Sequence, residues 1–215
     1  MSDPRAAKLR QGYASIAKGY RETLVDELRG KPLDRAFLDA FAERCAGGTI
    51  VEIGCGPGQV ARYLAERGAN VEALDLSPEM IAEATAAHPG LSFRVGDMFA
   101  LPHADRSVRG VVGFYAIVHT PTAELEAAFR EIARVLAIDG LLALAFHVED
   151  ETRRREVHVD ELFGAKTSLD FYFHDPDEVT RLLAGAGFTL EARLDREPYA
   201  GAEHPSKRSY LLARR

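Results

Sequence analysis

Three glycines at alternate positions are the feature of this sequence best suited to chemistry. Gly54, Gly56 and Gly58 directly follow the apolar run TIVEI, which ends at Ile53. Because glycine has no Cβ, it tolerates positive φ and lets a ligand approach the main chain closely. A loop of this kind after a buried strand predicts a site for a phosphate, a dinucleotide or another nucleoside cofactor.

The residues around the glycines separate these ligands. A P-loop needs Gly-Lys-Ser or Gly-Lys-Thr after its turn, and neither follows here. The dinucleotide fingerprint has its third glycine three positions after the second, whereas this chain has Gln59 there and Gly58 one position early. Acidic residues remain on the loop's own strand (Glu52), after the second predicted strand (Asp75) and after the third (Asp97). Asp75 can accept hydrogen bonds from a ribose diol in either kind of cofactor site, and an acid at Asp97 can read an adenine amine.

Alternating strands and helices would bring these residues to one edge of a sheet. Strands are predicted at TIVEIG, NVEALDLS, LSFRVGD, RGVVGFYAIVH and GLLALAFH, and helices at QVARYLAERG, PEMIAEATAAH and TAELEAAFREIARVL. Ser77 followed by Pro78 is typical of an N-cap and a first helical position. The last two strands, in FTLEARLDREPYA and KRSYLLARR, are joined by about ten residues, too few for a parallel crossover. The pattern predicts one α/β domain with a mostly parallel sheet, helices on both faces and a final antiparallel hairpin.

Two segments lie outside this alternation and are predicted to cover the site. Residues 1 to about 46 read as helices, with Tyr13 and Tyr20 seven residues apart on one helical face. Residues 148–175 are inserted after the fifth predicted strand and are expected to form a lid. Their run LDFYFHD could wall an apolar pocket or anchor the segment to the sheet, and their charged run EDETRRRE is interpreted as a solvated face rather than a clamp for an anionic substrate.

Composition and charge exclude several functions. The 215 residues are 47% hydrophobic and 28% charged, with a net charge of −6, which argues against unaided binding to a nucleic acid backbone. The longest apolar run, GLLALAF, is far shorter than the roughly 20 residues of a membrane helix. The first residues show no secretory signal, and the two cysteines, Cys45 and Cys55, have no metal-ligand spacing. We expect a reduced, cytoplasmic protein without a metal, a nucleic acid or a membrane partner, and we interpret Cys55 as a small filler of the loop.

These motifs resemble, in order, those of the class I S-adenosylmethionine-dependent methyltransferases of small molecules, the kind known as methyltransferase types 11 and 25. VEIGCGPGQ resembles the first motif, ALDLSPEMI the second and RVGDMFALP the third. GFYAIVHT stands at the fourth, and LAIDGLLALAF at the strand that follows a turn glycine. YASIAKGY is similar to a segment whose tyrosine often caps the methionine end of the cofactor. The resemblance covers nearly the whole chain and implies a Rossmann-like, seven-stranded sheet in the order 3-2-1-4-5-7-6.

The resemblance implies that S-adenosylmethionine is the cofactor and S-adenosylhomocysteine the product. It assigns the ribose hydroxyls to Asp75, packing on the adenine to Met80 and the adenine amine to Asp97. Glu52 would order the loop or meet the cofactor's ammonium group through water. The full cofactor-binding set that it implies is Tyr20, Glu52, Gly54, Gly56, Gly58, Asp75, Leu76, Met80, Asp97, Met98 and Phe114.

The acceptor is expected to be a small molecule methylated on oxygen or nitrogen rather than carbon. The fourth motif reads FYAI, not the Asn/Asp-Pro-Pro-Tyr of amino-methylating nucleic-acid enzymes. His119, close behind the fourth predicted strand, is the hypothesised general base, because a neutral imidazole is available at physiological pH. Alternatively it caps the next helix or contacts the cofactor, and His147 or Tyr115 could supply the base instead.

Two other functions remain open at this point. A non-catalytic S-adenosylmethionine-binding or S-adenosylhomocysteine-binding protein would share every motif. An NAD(P)-dependent oxidoreductase is disfavoured by Gln59 and by the absence of a Tyr-x-x-x-Lys pair. The sequence leaves a homodimer open and does not identify the acceptor.

Overall fold

The chain folds around a twisted sheet that is flanked by helices. The computed structural model describes residues 4–148, 155–201 and 203–215. The strands are β1 (Thr49–Ile53), β2 (Asn70–Asp75), β3 (Ser92–Val95), β4 (Val108–Phe114), β5 (Leu136–His147), β6 (Glu156–Leu162), β7 (Ala165–Tyr172), β8 (Thr189–Arg196) and β9 (Arg208–Arg214). The helices are α1 (Pro4–Ala14), α2 (Ala17–Leu24), α3 (Pro32–Arg44), α4 (Gln59–Ala65), α5 (Pro78–Ala87), α6 (Leu125–Val135) and α7 (Pro176–Gly185), with short 3₁₀ turns at Glu27–Gly30, Ala116–His119 and Thr122–Glu124.

Seven strands form the main sheet in the order β3-β2-β1-β4-β5-β9-β8. Numbered within this sheet alone, the order is 3-2-1-4-5-7-6, as predicted. β9 runs antiparallel to both of its neighbours, and the pairs from β3 to β5 are all parallel. The antiparallel β9 follows from the short join after β8, which allows a hairpin but no helical crossover.

Both faces of the sheet are covered, so its central strands are apolar throughout. In β5 the run from Leu141 to Phe146 is buried at every position, as expected for a strand with helices on both sides. α6 and α7 cover one face through Phe129, Ile132 and Leu183 among others. α3 and α4 cover the other face. The amphipathic helix predicted from TAELEAAFREIARVL is confirmed as α6.

Two predicted local structures were wrong in detail, and one structure was not predicted. The fourth strand ends at Phe114, because Tyr115 takes a left-handed conformation with φ of +58° and a 3₁₀ turn follows. Tyr13 and Tyr20 do not share one helical face, because α1 ends before α2 begins, yet their rings meet edge to face at 5.9 Å. The insertion after β5 contains an antiparallel hairpin, β6–β7, that the sequence analysis did not predict.

The predicted cap of α5 is confirmed. Ser77 Oγ accepts a hydrogen bond from the Met80 backbone N–H at 3.2 Å, and Pro78 occupies the first turn. Within the described ranges, no helix is long and apolar enough to cross a membrane, and no group of three or more metal-ligating side chains is present. The first three residues and six of the charged run EDETRRRE (149–154) lie outside the described residues, so the interpretation of that run is not addressed.

Candidate active site

A cavity of about 630 Å³ lies over the carboxyl ends of the parallel strands. Its floor comes from the ends of β1, β2, β4 and β5 and from the turn after β3. Its walls come from α1 and α2, the β6–β7 hairpin and the loop between β8 and β9. This is the edge where open α/β sheets bind ligands. Of the predicted site residues, His119 and all of the cofactor set except Gly58 line this cavity.

The glycine loop has the conformation that its sequence requires. Gly54, Gly56 and Gly58 have φ of +61°, +51° and +83°, a region that glycine adopts without steric cost. A Cβ on Gly54 would lie 2.9 Å from the Cβ of Ala116, and one on Gly58 would lie 2.7 Å from the Phe93 ring. Gly58 is therefore required for the turn and for close packing against Phe93, at the N-cap position of α4.

Asp75 connects the loop to the turn after β2. Its Oδ2 accepts from the backbone N–H of Gly56 at 2.8 Å, and its Oδ1 accepts from the N–H of Ser77 at 2.9 Å. Burial raises the pKa of Asp75, and these backbone hydrogen bonds oppose that rise. Since a carboxylate has about four lone-pair positions, the group can still accept hydrogen bonds from a diol in the cavity.

Glu52 is a buried carboxyl group that lacks a complete set of partners. It is 2% exposed, and its Oε2 has no hydrogen-bond partner among the described residues. Burial raises its pKa well above the usual range, although the backbone N–H of Ala61 favours the ionised form. A buried polar atom without a partner is costly. The site therefore fits a ligand that brings a cationic donor, such as an ammonium group.

The resemblance assigns the adenine to Met80 and Asp97, and both residues line the cavity. Met80, on α5, is buried. Leu76 and Met98 also border the cavity. Asp97 Oδ1 accepts from the backbone N–H of Phe99 at 3.0 Å, which fixes the carboxylate in the turn after β3. These positions fit the roles that the resemblance implies.

The two predicted covering segments are in direct contact above the cavity. Thr167 Oγ1 and Ser15 Oγ donate to the backbone carbonyls of Gly12 and Lys166 respectively, both at 2.7 Å. A Cβ on Gly12 would lie 2.4 Å from Leu169 Cδ2, so α1 and β7 approach as closely as glycine allows. The covering helices and the hairpin therefore form one contiguous cover.

His119 is held in one tautomer by partners on both ring nitrogens. The Asp170 carbonyl lies 2.7 Å from Nδ1 and can only accept, so Nδ1 carries the proton. Nε2 then accepts from the Tyr13 hydroxyl at 2.6 Å. Burial lowers the pKa of His119 to about 4 and raises that of Tyr13. The pair is therefore neutral, and although the imidazole lines the cavity, its Nε2 is already hydrogen-bonded to the phenol.

Sequence reasoning missed a polar cluster at the other end of the cavity. Lys31, Glu203 and Arg208 line this end together with two residues that were considered only as alternative bases, Tyr115 and His147. His147 and Arg208 are directly opposite each other in the β5–β9 ladder and so project to the same face. No local motif marks this cluster, because its members are far apart in the sequence.

Comparisons with known proteins agree with this geometry. A family described as a methyltransferase domain matches residues 50–140. A probable S-adenosylmethionine-dependent methyltransferase of Mycolicibacterium smegmatis is 32% identical over 161 residues, 72% of this chain and 57% of that protein. The malonyl-[acyl-carrier protein] O-methyltransferase of Salmonella typhimurium is 30% identical over 139 residues, 65% of this chain and 49% of that protein. This chain therefore spans about half the length of these two curated relatives.

A solved structure shares the fold. The 1,6-didemethyltoxoflavin-N1-methyltransferase of Burkholderia thailandensis, with bound 1,6-didemethyltoxoflavin and S-adenosylhomocysteine, superimposes with a TM-score of 0.75 at 21% identity. The match covers 100% of this chain and 91% of that one.

A seven-stranded sheet with a glycine loop and an acid after β2 defines a Rossmann-like protein that binds a nucleoside cofactor. The family match, the curated relatives and the fold together identify residues 50–140 as the core of a class I S-adenosylmethionine-dependent methyltransferase domain. S-adenosylmethionine is the cofactor of this family, which removes the oxidoreductase alternative.

Proposed function

We propose that this protein transfers a methyl group from S-adenosylmethionine to an oxygen or nitrogen atom of a small molecule. The observation that carries the proposal is that one continuous cavity is lined by the predicted cofactor residues and also by the hairpin and the polar cluster around Arg208.

Three acidic residues of the chain fit three of the cofactor's polar groups. Asp75 would accept from the ribose hydroxyls, Asp97 from the adenine amine, and Glu52 from the ammonium group. The backbone of Gly54 and Gly56 would lie against the methionyl and ribose portions. When bound, the cofactor supplies an electrophilic methyl group on a positively charged sulfur.

Positioning is the main catalytic task of this site. Methyl transfer to a lone pair needs an aligned acceptor, and holding reactants in alignment can supply most of the acceleration. The cover formed by α1, α2 and the hairpin would exclude water from the reacting groups. Tyr20, whose ring lies 3.6 Å from the position of a Cβ on Gly56, would close the cofactor from above.

An acceptor that must lose a proton would do so through Tyr13 and His119. The acceptor's proton would pass to the Tyr13 oxygen while the Tyr13 proton passes to Nε2 of His119, which balances the transfer. For such an acceptor, Tyr13→Phe and His119→Ala should each lower turnover by roughly 10²- to 10⁴-fold. If both variants keep most of their turnover, His119 is a wall of the pocket and positioning alone accounts for catalysis.

The relatives named above support oxygen and nitrogen as acceptor atoms. One is by name an O-methyltransferase and the structural neighbour is an N1-methyltransferase. The net charge of −6 favours a small molecule over nucleic acid as the acceptor.

The deciding experiment is a metabolite-library screen with the protein and methyl-labelled S-adenosylmethionine, read by mass spectrometry. We expect a labelled product that is lost in Asp75→Ala. Binding of S-adenosylhomocysteine without labelled product from any acceptor would favour the non-catalytic alternative. Absence of binding would refute the cofactor assignment itself.

A further inference from the structure

The polar end of the cavity contains a buried cation that, among the described residues, makes an ion pair with a carboxylate but no hydrogen bond to one. Arg208 is 2% exposed and lines the cavity. Its Nη1 donates to the backbone carbonyls of His204 and Ser206. Its Nε has no hydrogen-bond partner among the described residues, and it lies 3.6 Å from Glu203 Oε1.

Glu203 is already occupied by another cation. Arg196 donates to both of its carboxylate oxygens, at 2.7 and 2.9 Å. This bidentate pair is the stronger kind of ion pair, and it holds the pKa of Glu203 at about 2 despite burial. Arg196 does not line the cavity. Arg196 also donates to Asp34 Oδ2 at 2.9 Å, so its charge is shared between two carboxylates. Both Glu203 oxygens nevertheless accept hydrogen bonds from Arg196, which leaves Arg208 in ion-pair range of Glu203 but without a hydrogen bond to it.

A second buried cation stands on the same side. Lys31 is 8% exposed and lines the cavity. It pairs with Glu27 and lies 3.3 Å from Glu203 Oε1. Burial opposes its charge, but the Glu27 carboxylate raises the pKa of Lys31 above its ordinary value. Lys31 is therefore positively charged, and it lines the cavity together with its two carboxylate partners, Glu27 and Glu203.

Aromatic rings continue the pocket from these cations towards the hairpin. The His147 ring lies 4.9 Å from the Tyr115 ring and 5.7 Å from the Phe173 ring, measured between centroids. Tyr115 is held in its left-handed conformation by its N–H, which donates to the Ala145 carbonyl at 2.7 Å. Such strain in a non-glycine residue persists only where the surrounding structure enforces it, and it is concentrated at functional sites.

We propose that the methyl acceptor is an organic acid whose carboxylate binds Arg208 and Lys31. Its apolar or aromatic body lies against Tyr115, His147 and Phe173. A planar carboxylate matches the fork of a guanidinium group, and it would satisfy the Arg208 Nε that the fold leaves without a partner. The inference rests on the proposed function and names the class of acceptor for that same cavity.

The test compares acids with amides of the same shape. Benzoate, phenylacetate and 3-phenylpropionate, each with its amide, are titrated calorimetrically at pH 7.5 into protein saturated with S-adenosylhomocysteine. We expect at least one acid to bind about tenfold or more tightly than its amide. Arg208→Gln should reduce that preference to below about threefold, whereas Arg208→Lys, which keeps the charge, should retain part of it. Arg130→Gln, an exposed arginine on α6, is the matched control and should change nothing.

Two outcomes would overturn the proposal. One is equal affinity for acid and amide in all three pairs. The other is an Arg208→Gln variant that binds S-adenosylhomocysteine more weakly while its preference for acids persists, because the cation would then belong to the cofactor's own carboxylate. If Arg208→Gln does not fold, Lys31→Gln is measured in the same way and must reduce the preference.

Failure of the proposed function gives a different result. Acids would then bind with the expected preference, yet no acid in the metabolite screen would yield a methylated product.

Discussion

Replacing Glu52 by glutamine should stabilise the free protein and weaken cofactor binding. The change keeps the shape of the side chain and removes its ability to ionise. Glu52 is 2% exposed with one carboxyl oxygen unpartnered, and burial raises its pKa. Glutamine keeps a polar atom at the unpartnered position, so the gain comes from removing the ionisable group, whose charge is costly to bury. We therefore expect the free energy of unfolding to rise by about 1–3 kcal/mol at neutral pH, which for a chain of this size is about 2–4 °C in Tm per kcal/mol.

The pH dependence follows from the direction of the shift. Because the pKa of Glu52 is higher in the folded protein, the unfolded chain loses this proton first as the pH rises. The stability that the protonated group contributes is full below its unfolded pKa of about 4.3. This stability is lost as the pH rises through the raised pKa of Glu52 in the folded protein. Thermal unfolding of Glu52→Gln should lack this part of the pH dependence.

Cofactor binding should strengthen as the pH rises, whereas the stability of the free protein should fall. An ammonium group favours ionised Glu52, so below the raised pKa the binding of S-adenosylhomocysteine should release a proton. The affinity for S-adenosylhomocysteine should then increase by up to tenfold for each unit by which the pH rises. Glu52→Gln should remove this slope and bind about 10- to 150-fold more weakly at neutral pH, as for the loss of a hydrogen bond to a charged group.

Calorimetric titration across pH, in buffers of different ionisation enthalpy, measures both the affinity and the proton release. Glu43→Gln, an exposed glutamate on α3, is the matched control. A Glu52→Gln variant that is less stable and binds S-adenosylhomocysteine as tightly as the parent would refute this reasoning. Glu52 would then order the loop and have no ligand of its own.

Three further predictions follow from the site and its cover. Asp75→Ala should weaken S-adenosylhomocysteine binding by roughly 10- to 150-fold, and unchanged affinity in a folded variant would contradict the ribose assignment. By NMR, His119 should titrate near pH 4, and a midpoint near pH 6.5 would show that the imidazole is not buried. The stability that neutral His119 contributes is full above its unfolded pKa of about 6.5 and is lost as the pH falls towards 4. Gly12→Ala would place a Cβ 2.4 Å from Leu169 Cδ2 and should speed hydrogen exchange in both α1 and β7. The control Gly30→Ala, with no atom within 4 Å of the added Cβ, should not. Equal exchange in the two variants would mean that the cover is not one unit.

Much of the cofactor half of the site could be predicted because its residues are adjacent to the ends of local elements. Gly54 and Gly56 follow β1, and Asp75 ends β2, so recognising the strands was enough to bring these residues together. The order of the strands came from the resemblance, and the antiparallel β9 came from the length of one join. Gly58 shows the limit of a motif, since its place in the pattern is explained by packing on Phe93 rather than by the cavity.

The part of the cavity that we propose for the acceptor could not be predicted in the same way. An isolated two-stranded hairpin is at best marginally stable, so β6–β7 depends on its contacts with α1, which no local pattern encodes. Arg208 reaches the cavity because β9 runs antiparallel beside β5 and places its first residue opposite His147. Lys31 reaches the same point from the other end of the chain.

The sequence alone was sufficient for features that depend on a few neighbouring residues: glycines with positive φ, the Ser77 cap, the alternation of strands and helices, and the positions of the acids in β1, at the end of β2 and after β3. Glycine conformation, capping and hydrophobic periodicity act over one or two turns of chain and can therefore be read from it. The raised pKa of Glu52, the fixed tautomer of His119 and the cluster of Lys31 and Arg208 at the cavity depend on the tertiary structure. Desolvation and ion pairing are set by which distant segments enclose a group, and only the folded chain brings those segments together.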